Sequence, residues 1–405
     1  MQVISDYVNK QAVRTPEQIK GVFLMSLPAF SMALVVILLA ILPLKVKWYY
    51  KVILSLLTLL VSFKFYVLRI LGGPFAFAPE VPPWVILFSS WLYAILFFFT
   101  FFLTASAAVL LPVMLVRKSK KQPFDDFFRK LGRYYLILLT LAAITASCGI
   151  YQGTRLPGIT RQTLYFSNLP AEAENLRIAV LSDTHVDKVR RKNYMEKLVQ
   201  LTMKEKPDMI VMTGDYVDGR LRNFYADLTP MTKLKAPYGV FAVPGNHEYF
   251  SGYAHWSKAL AGYGLTLLQN QNVPIPELNM SVVGITDLIA PRYRFEGPDM
   301  EKAFSGIPEN HFKLLLSHRP KEVLKARKYA PDLQLSGHTH GGMIWGFHFL
   351  VAHFNGNFAS GTHQVGSTTL RISNGTGIWS GFPIRIVRPP EILLLTLKRK
   401  TNNLK

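Results

Sequence analysis

The run Gly337-His338-Thr339-His340-Gly341 sets two imidazoles one residue apart on a turn, and Gly245-Asn246-His247-Glu248 gathers a carboxamide, an imidazole and a carboxylate on another. An x-His-x-His pair taken alone is a weak metal signal. Its company strengthens it, because every upstream apolar run that reads as a strand ends in a side chain able to hold a metal ion. Residues 177–182 run into Asp183-Thr184-His185, and residues 209–213 into Gly214-Asp215-Tyr216-Val217-Asp218. Residues 239–243 lead to Asn246 and His247, residues 313–317 to His318, and residues 333–336 to the histidine pair. Five of the ten histidines stand at these ends. Short apolar runs bounded by turns fit buried strands of an α/β sheet, where chemistry gathers at the carboxyl ends.

The residue types narrow the chemistry. Imidazole, carboxylate and carboxamide oxygen suit borderline divalent ions such as Mn, Fe, Zn or Co, and a chain whose one cysteine is Cys148 cannot build a Cys-rich structural zinc site. Two such ions, about 3.5–4 Å apart, need a carboxylate between them to screen their repulsion. Asp215 is the natural bridge. Such ions lower the pKa of bound water, which points to hydrolysis by a metal-bound hydroxide.

In this order, Asp183-x-His185, Gly214-Asp215-x-x-Asp218, Gly245-Asn246-His247-Glu248, His318 and Gly337-His338-x-His340 resemble the signature of the calcineurin-like metallophosphoesterase superfamily. The tail, from Gly341-Gly342 through Asn374-Gly375-Thr376-Gly377 to Pro389-Pro390-Glu391-Ile392, is similar to the membrane-associated branch that includes the bacterial YkuE and YaeI types. The resemblance implies an α/β fold, a two-sheet sandwich flanked by helices, spanning residues 176–398. It implies that Asp183, His185 and His340 hold one divalent ion, that Asn246, His318 and His338 hold the other, and that Asp215 is shared. His247 would bind no metal and would act on the substrate as a catalytic acid or hydrogen-bond donor. Asp218 and Glu248 are candidates for orienting a ligand, or else a cap and an exposed acid. Arg190-Arg191-Lys192 reads as a phosphate contact or a solvated helix start. The remaining histidines receive no role.

The elements that position these residues begin well into the chain. Half of the 405 residues are hydrophobic and 13% aromatic, an excess concentrated in residues 1–150. Residues 22–44, 52–71, 84–116 and 134–150 are apolar runs nearly without charge, which predicts an all-α domain of four transmembrane helices. The connection after the third run carries seven basic residues, including Arg117, Lys118 and Arg133, against Asp125 and Asp126; the first carries Lys45, Lys47 and Lys51 with no acid. The positive-inside rule makes both connections cytoplasmic and puts the catalytic domain on the extracytoplasmic side of a multi-pass cell-membrane protein. Residues 151–175 read as a linker and residues 399–405 as a basic tail.

Residues 1–150 hold 15 basic and 5 acidic side chains, and residues 151–405 hold 31 and 20. That excess favours anionic partners: membrane lipids, or a phosphorylated amphipathic substrate. Nucleic acid is disfavoured, since aromatic and basic residues do not interleave. Residues 343–354 are apolar and aromatic, suited either to an acyl chain or bilayer interface or to packing in the second sheet. The expected protein is thus an integral membrane phosphoesterase acting on a phosphate ester or pyrophosphate bond of a lipid-type substrate. Two alternatives stay open. One is a membrane-anchored adaptor using the same fold for binding; the other, if the domain is cytoplasmic, is a UDP-diacylglucosamine-type pyrophosphatase.

Overall fold

The structure, a computed structural model, describes residues 27–72, 78–120 and 125–400. The chain divides into two compact units, Met1–Ile150 and Tyr151–Lys405.

The first unit is helical throughout its described elements. Pro83–Ser119 and Leu131–Thr154 are long and apolar enough to cross a membrane. Trp48–Ser62 and Lys64–Gly72 reach that length only as a pair, bent by 65°. The break falls beside Lys64, one of two charged residues inside this run, whose ammonium bonds the Ser90 hydroxyl at 2.7 Å. The described part of the first apolar run is the shorter helix Leu27–Ile41, while residues 22–26 lie outside the described residues. Of the four expected spans, then, the described residues supply two, or three if the bent pair counts as one. A hydrogen bond from the Trp91 indole to Ser147 joins the two long helices.

Among the described residues, the second unit holds twelve strands in two mixed six-stranded sheets. In the first, β1 (Gly158–Phe166), β12 (Glu391–Arg399), β2 (Arg177–Leu181), β3 (Met209–Met212), β4 (Val240–Ala242) and β5 (Thr266–Leu267) lie in that order. In the second the order is β10 (Gly361–Val365), β11 (Thr368–Ile372), β9 (Leu333–Ser336), β8 (Phe312–Leu316), β7 (Met280–Gly284) and β6 (Gln271–Ile275). Within these, β2, β3 and β4 are mutually parallel, as are β7, β8 and β9.

Strand periodicity explains the layering. Alternate residues of β2 and β3, namely Ile178, Val180, Met209 and Val211, share one buried core with Val282, Leu314, Leu316, Leu333 and Leu335 of the second sheet. Their neighbours Ala179, Leu181, Ile210 and Met212 face outward onto Met195, Leu198, Phe224, Trp256 and Leu260 of the covering helices. With both faces covered, parallel strands read as continuous apolar runs. The six carboxyl ends of β2, β3, β4, β7, β8 and β9 are left to carry the polar residues.

Residues 151–175 are not a linker. They hold the end of helix Asp125–Thr154 and all of β1, which pairs in parallel with β12 from Gly158 to Phe166. As an edge strand that buries only Leu164 and Phe166, β1 keeps a polar composition that conceals it in the sequence. The expected basic tail likewise begins inside the sheet, since β12 runs to Arg399; residues 401–405 lie outside the described residues.

Candidate metal centre

The strand ends bring the seven expected metal ligands together. Behind β2, Asp183 and His185 are fully buried; behind β9, His340 closes on them, its Nε2 at 3.2 Å from His185 Nε2 and 3.8 Å from Asp183 Oδ1. Behind β8, His318 sets Nε2 at 3.1 Å from both Asn246 Oδ1 and His338 Nδ1. Asp215, behind β3, lies between the two groups. Its Oδ2 is 3.2 Å from His318 Nε2 and 3.8 Å from His185 Nε2, so a single oxygen faces both.

Local backbone makes this convergence possible. Asp183, His185, Asp215, His338 and His340 all have φ between 44° and 70°, the left-handed region that Asp and His tolerate better than most residues. Gly337 lies so close to Ser182 Oγ and Asp183 Oδ2 that a Cβ there would collide with both. The turn at 374–377 clamps the same strand end, with Thr376 N–H donating to Ser182 O at 2.7 Å and Gly377 N–H to Asp183 O at 2.9 Å.

Surrounding groups fix which atoms face inward. Asp218 accepts from His185 Nδ1 at 3.1 Å, and His318 Nδ1 donates to Thr213 O at 2.7 Å. Each ring then turns Nε2 toward Asp215. Glu248, fully buried, is no exposed acid: it accepts from the backbone N–H groups of Asp215 (2.9 Å), Tyr216 (2.7 Å) and Gly245 (2.8 Å), locking two strand ends together. Asp218 proves to orient two histidines rather than to cap a helix, for it also accepts from His247 Nδ1 at 2.5 Å.

The electrostatics match the geometry. Burial works against ionised Asp215, yet His318, His247 and His185 outweigh it and hold the carboxyl well below the usual range. Burial also opposes charge on His318 and His247, but Asp215 raises the first to about 10 and Asp218 the second to about 9. Burial pushes His338 and His340 well below the ordinary imidazole value, helped by Arg319 and His185 respectively. Two neutral imidazoles and an anionic bridge are what metal binding requires. The donor set, with imidazoles and a carboxamide converging on the ionised Asp215, fits a pair of divalent ions better than a hydrogen-bonded core.

Several site residues carry no motif. Asp287, three residues past β7, is buried and grips Arg319 through Nε at 2.7 Å. Arg385, fully buried, donates to His340 O at 3.1 Å and to Asn374 O at 2.6 Å, holding the histidine turn against the 374–377 turn. The run 190–192 is a helix start, with Arg191 and Lys192 exposed at the head of helix Lys192–Lys204 and Arg191 paired with Asp227 at 3.0 Å; only Arg190 is buried, beside Asp187. Asp287 was open to discovery as one more acid beyond an apolar run. Arg385 left no signal, because its partners are carbonyls.

A two-sheet sandwich whose parallel strands deliver Asp, Asn and His to one point defines a metal-dependent hydrolytic site. Residues 176–342 match the family model described as calcineurin-like phosphoesterase. The chain is 34% identical over 286 residues to an uncharacterized metallophosphoesterase of Helicobacter pylori, covering 70% of this chain and 73% of that protein. It is 29% identical over 273 residues to the metallophosphoesterase YkuE of Bacillus subtilis, covering 64% and 93%. A Bos taurus protein described as a transmembrane protein with metallophosphoesterase domain is 29% identical over 287 residues, 67% of this chain and 64% of that one. The chain belongs to the calcineurin-like metallophosphoesterase family, and as such is a metal-dependent phosphoesterase.

Proposed function

We propose that this chain is an integral membrane phosphoesterase that uses two divalent ions to hydrolyse a phosphate ester or pyrophosphate bond of a lipid or lipid-linked substrate. Asp183, His185 and His340 hold one ion, Asn246, His318 and His338 the other, and Asp215 both. When bound, such a pair supplies Lewis acidity toward water and toward phosphoryl oxygens. The chain's own residues do the rest. His247 keeps a proton at Nε2 and passes it to the leaving oxygen, a transfer worth about 10²–10⁴-fold. Asp218 fixes that ring through Nδ1 and favours its charged form.

The lipid character rests on one observation. The metal turn runs directly into helix His348–Phe354, with Gly342 packed against His348, and the helix displays its apolar side chains outward. Trp345 is 67% exposed, Phe349 71% and Phe354 69%, so this segment is not packed into the second sheet. Aromatic surface contiguous with a polar reaction centre suits a ligand with a phosphate head and a hydrocarbon tail. Four spans with the catalytic domain outside remain the proposed topology.

Turnover of a detergent-dispersed lipid phosphate and of a short soluble phosphoester tests the reading. The wild-type chain is expected to prefer the lipid, and Phe349→Ser with Phe354→Ser to raise KM for the lipid alone. Equal hydrolysis of both substrates by wild type would contradict a lipid substrate.

A further inference from the structure

Arg319 follows the ligand His318 directly, and its guanidinium stands at the edge of the second ligand group. Its side chain is 18% exposed, whereas the carboxylate that holds it is wholly buried. Asp287 takes it in bidentate fashion, Oδ2 from Nε at 2.7 Å and Oδ1 from the second terminal nitrogen at 3.1 Å. The Ile289 N–H also donates to Asp287 Oδ1, at 2.8 Å, and fixes the clamp from behind. The outward N–H groups of the fork fall on the site itself. One terminal nitrogen is 3.3 Å from Asn246 Oδ1 and the other 3.2 Å from His338 Nε2.

A cation kept solely to stabilise the fold would be matched by its carboxylate and turned away from atoms that must face divalent ions. Here the guanidinium sits on the same side chains as those atoms, where like charge repels it, and a buried acid is spent on keeping it there. An anion entering between them converts that repulsion into attraction. The fork geometry of arginine suits two oxygens of one phosphoryl group. A terminal phosphoryl group offers three non-bridging oxygens and a diester two, so with the ions taking their share, the terminal group has one to give to arginine.

We propose that Arg319, positioned by Asp287, grips a non-bridging oxygen of the substrate and biases the site toward terminal phosphoryl groups over phosphodiesters. The proposal rests on the phosphoesterase reading above and names the kind of ester within it. Full-length wild type, Arg319→Ala, Arg319→Lys and Asp287→Asn are compared by metal content, by calorimetric binding of inorganic phosphate, and by kcat/KM for p-nitrophenyl phosphate and its bis-ester. Arg319→Ala is expected to retain the wild-type metal content, weaken phosphate binding about 10- to 100-fold, and lose more on the monoester than on the diester. Arg319→Lys is expected to recover part of the phosphate affinity, and Asp287→Asn to fall between, its arginine present but unheld. Phosphate affinity within twofold of wild type in Arg319→Ala overturns the proposal. So does loss of metal in that variant, which would make Arg319 a prop for Asn246 and His338. A wild-type chain that binds metal but neither phosphate nor ester would instead overturn the phosphoesterase reading beneath it.

Discussion

At the scale of the residue, the site is built from conformations that cost energy. Five non-glycine side chains in the left-handed region, each worth about 1–3 kcal/mol of strain, are concentrated in one constellation. They persist because the surrounding contacts over-determine them. Glu248 ties Asp215 to Gly245, Arg385 holds the His340 carbonyl, and the His338 N–H donates to Asp183 Oδ1 at 3.1 Å. The proposed acid, His247, has Nδ1 held by Asp218 and Nε2 4.0 Å from the Asp215 oxygen. His247→Ala is therefore expected to keep its metal and lose about 10²–10⁴-fold in turnover, measured by elemental analysis beside steady-state kinetics. Joint loss of metal and activity would make His247 a ligand instead. The ligands themselves were legible in sequence because each follows an apolar run directly. Asp287 was legible only as one more acid beyond an apolar run, and Arg319 not at all, since nothing in their spacing says that the end of β7 lies beside the end of β8.

At the scale of the element, the strand ends carry the chemistry and the glycines set how closely they approach. Gly337 is required by contact with Ser182 and Asp183 rather than by its own φ. Gly337→Ala should force the β9 turn away from β2, with an overpacking cost of about 1–3 kcal/mol and preferential loss of the ion held by Asp183, His185 and His340. Chemical denaturation and metal content would register both; an alanine variant with wild-type values for each would show that the two turns are not in essential contact. The central strands could be read from sequence because both their faces are buried. Those at the edges escaped for the opposite reason. β1 buries only Leu164 and Phe166, β10 buries none of its residues, and β6 contains Pro274, so neither alternation nor apolar content distinguishes them from loops. Residues 385–387 form only isolated bridges from Ile344 to Ile386 and Val387, and Arg385 turns inward there to hold the His340 carbonyl.

At the scale of the whole molecule, composition divides the chain where the contacts do, after Ile150. Hydropathy identified the apolar runs but not the break at Phe63, which depends on where Lys64 finds its partner. The proposed orientation rests on loop charge, and C-terminal fusions to reporters active on opposite sides of a membrane check it. Signal from the extracytoplasmic reporter is expected, and signal from the cytoplasmic one would reverse the assignment. Everything else depends on whether Asp215 bridges two ions. Elemental analysis of purified full-length wild type and Asp215→Asn asks this directly: two divalent ions per chain are expected in wild type and neither in the variant, whereas an Asp215→Asn chain still holding two would contradict the shared centre.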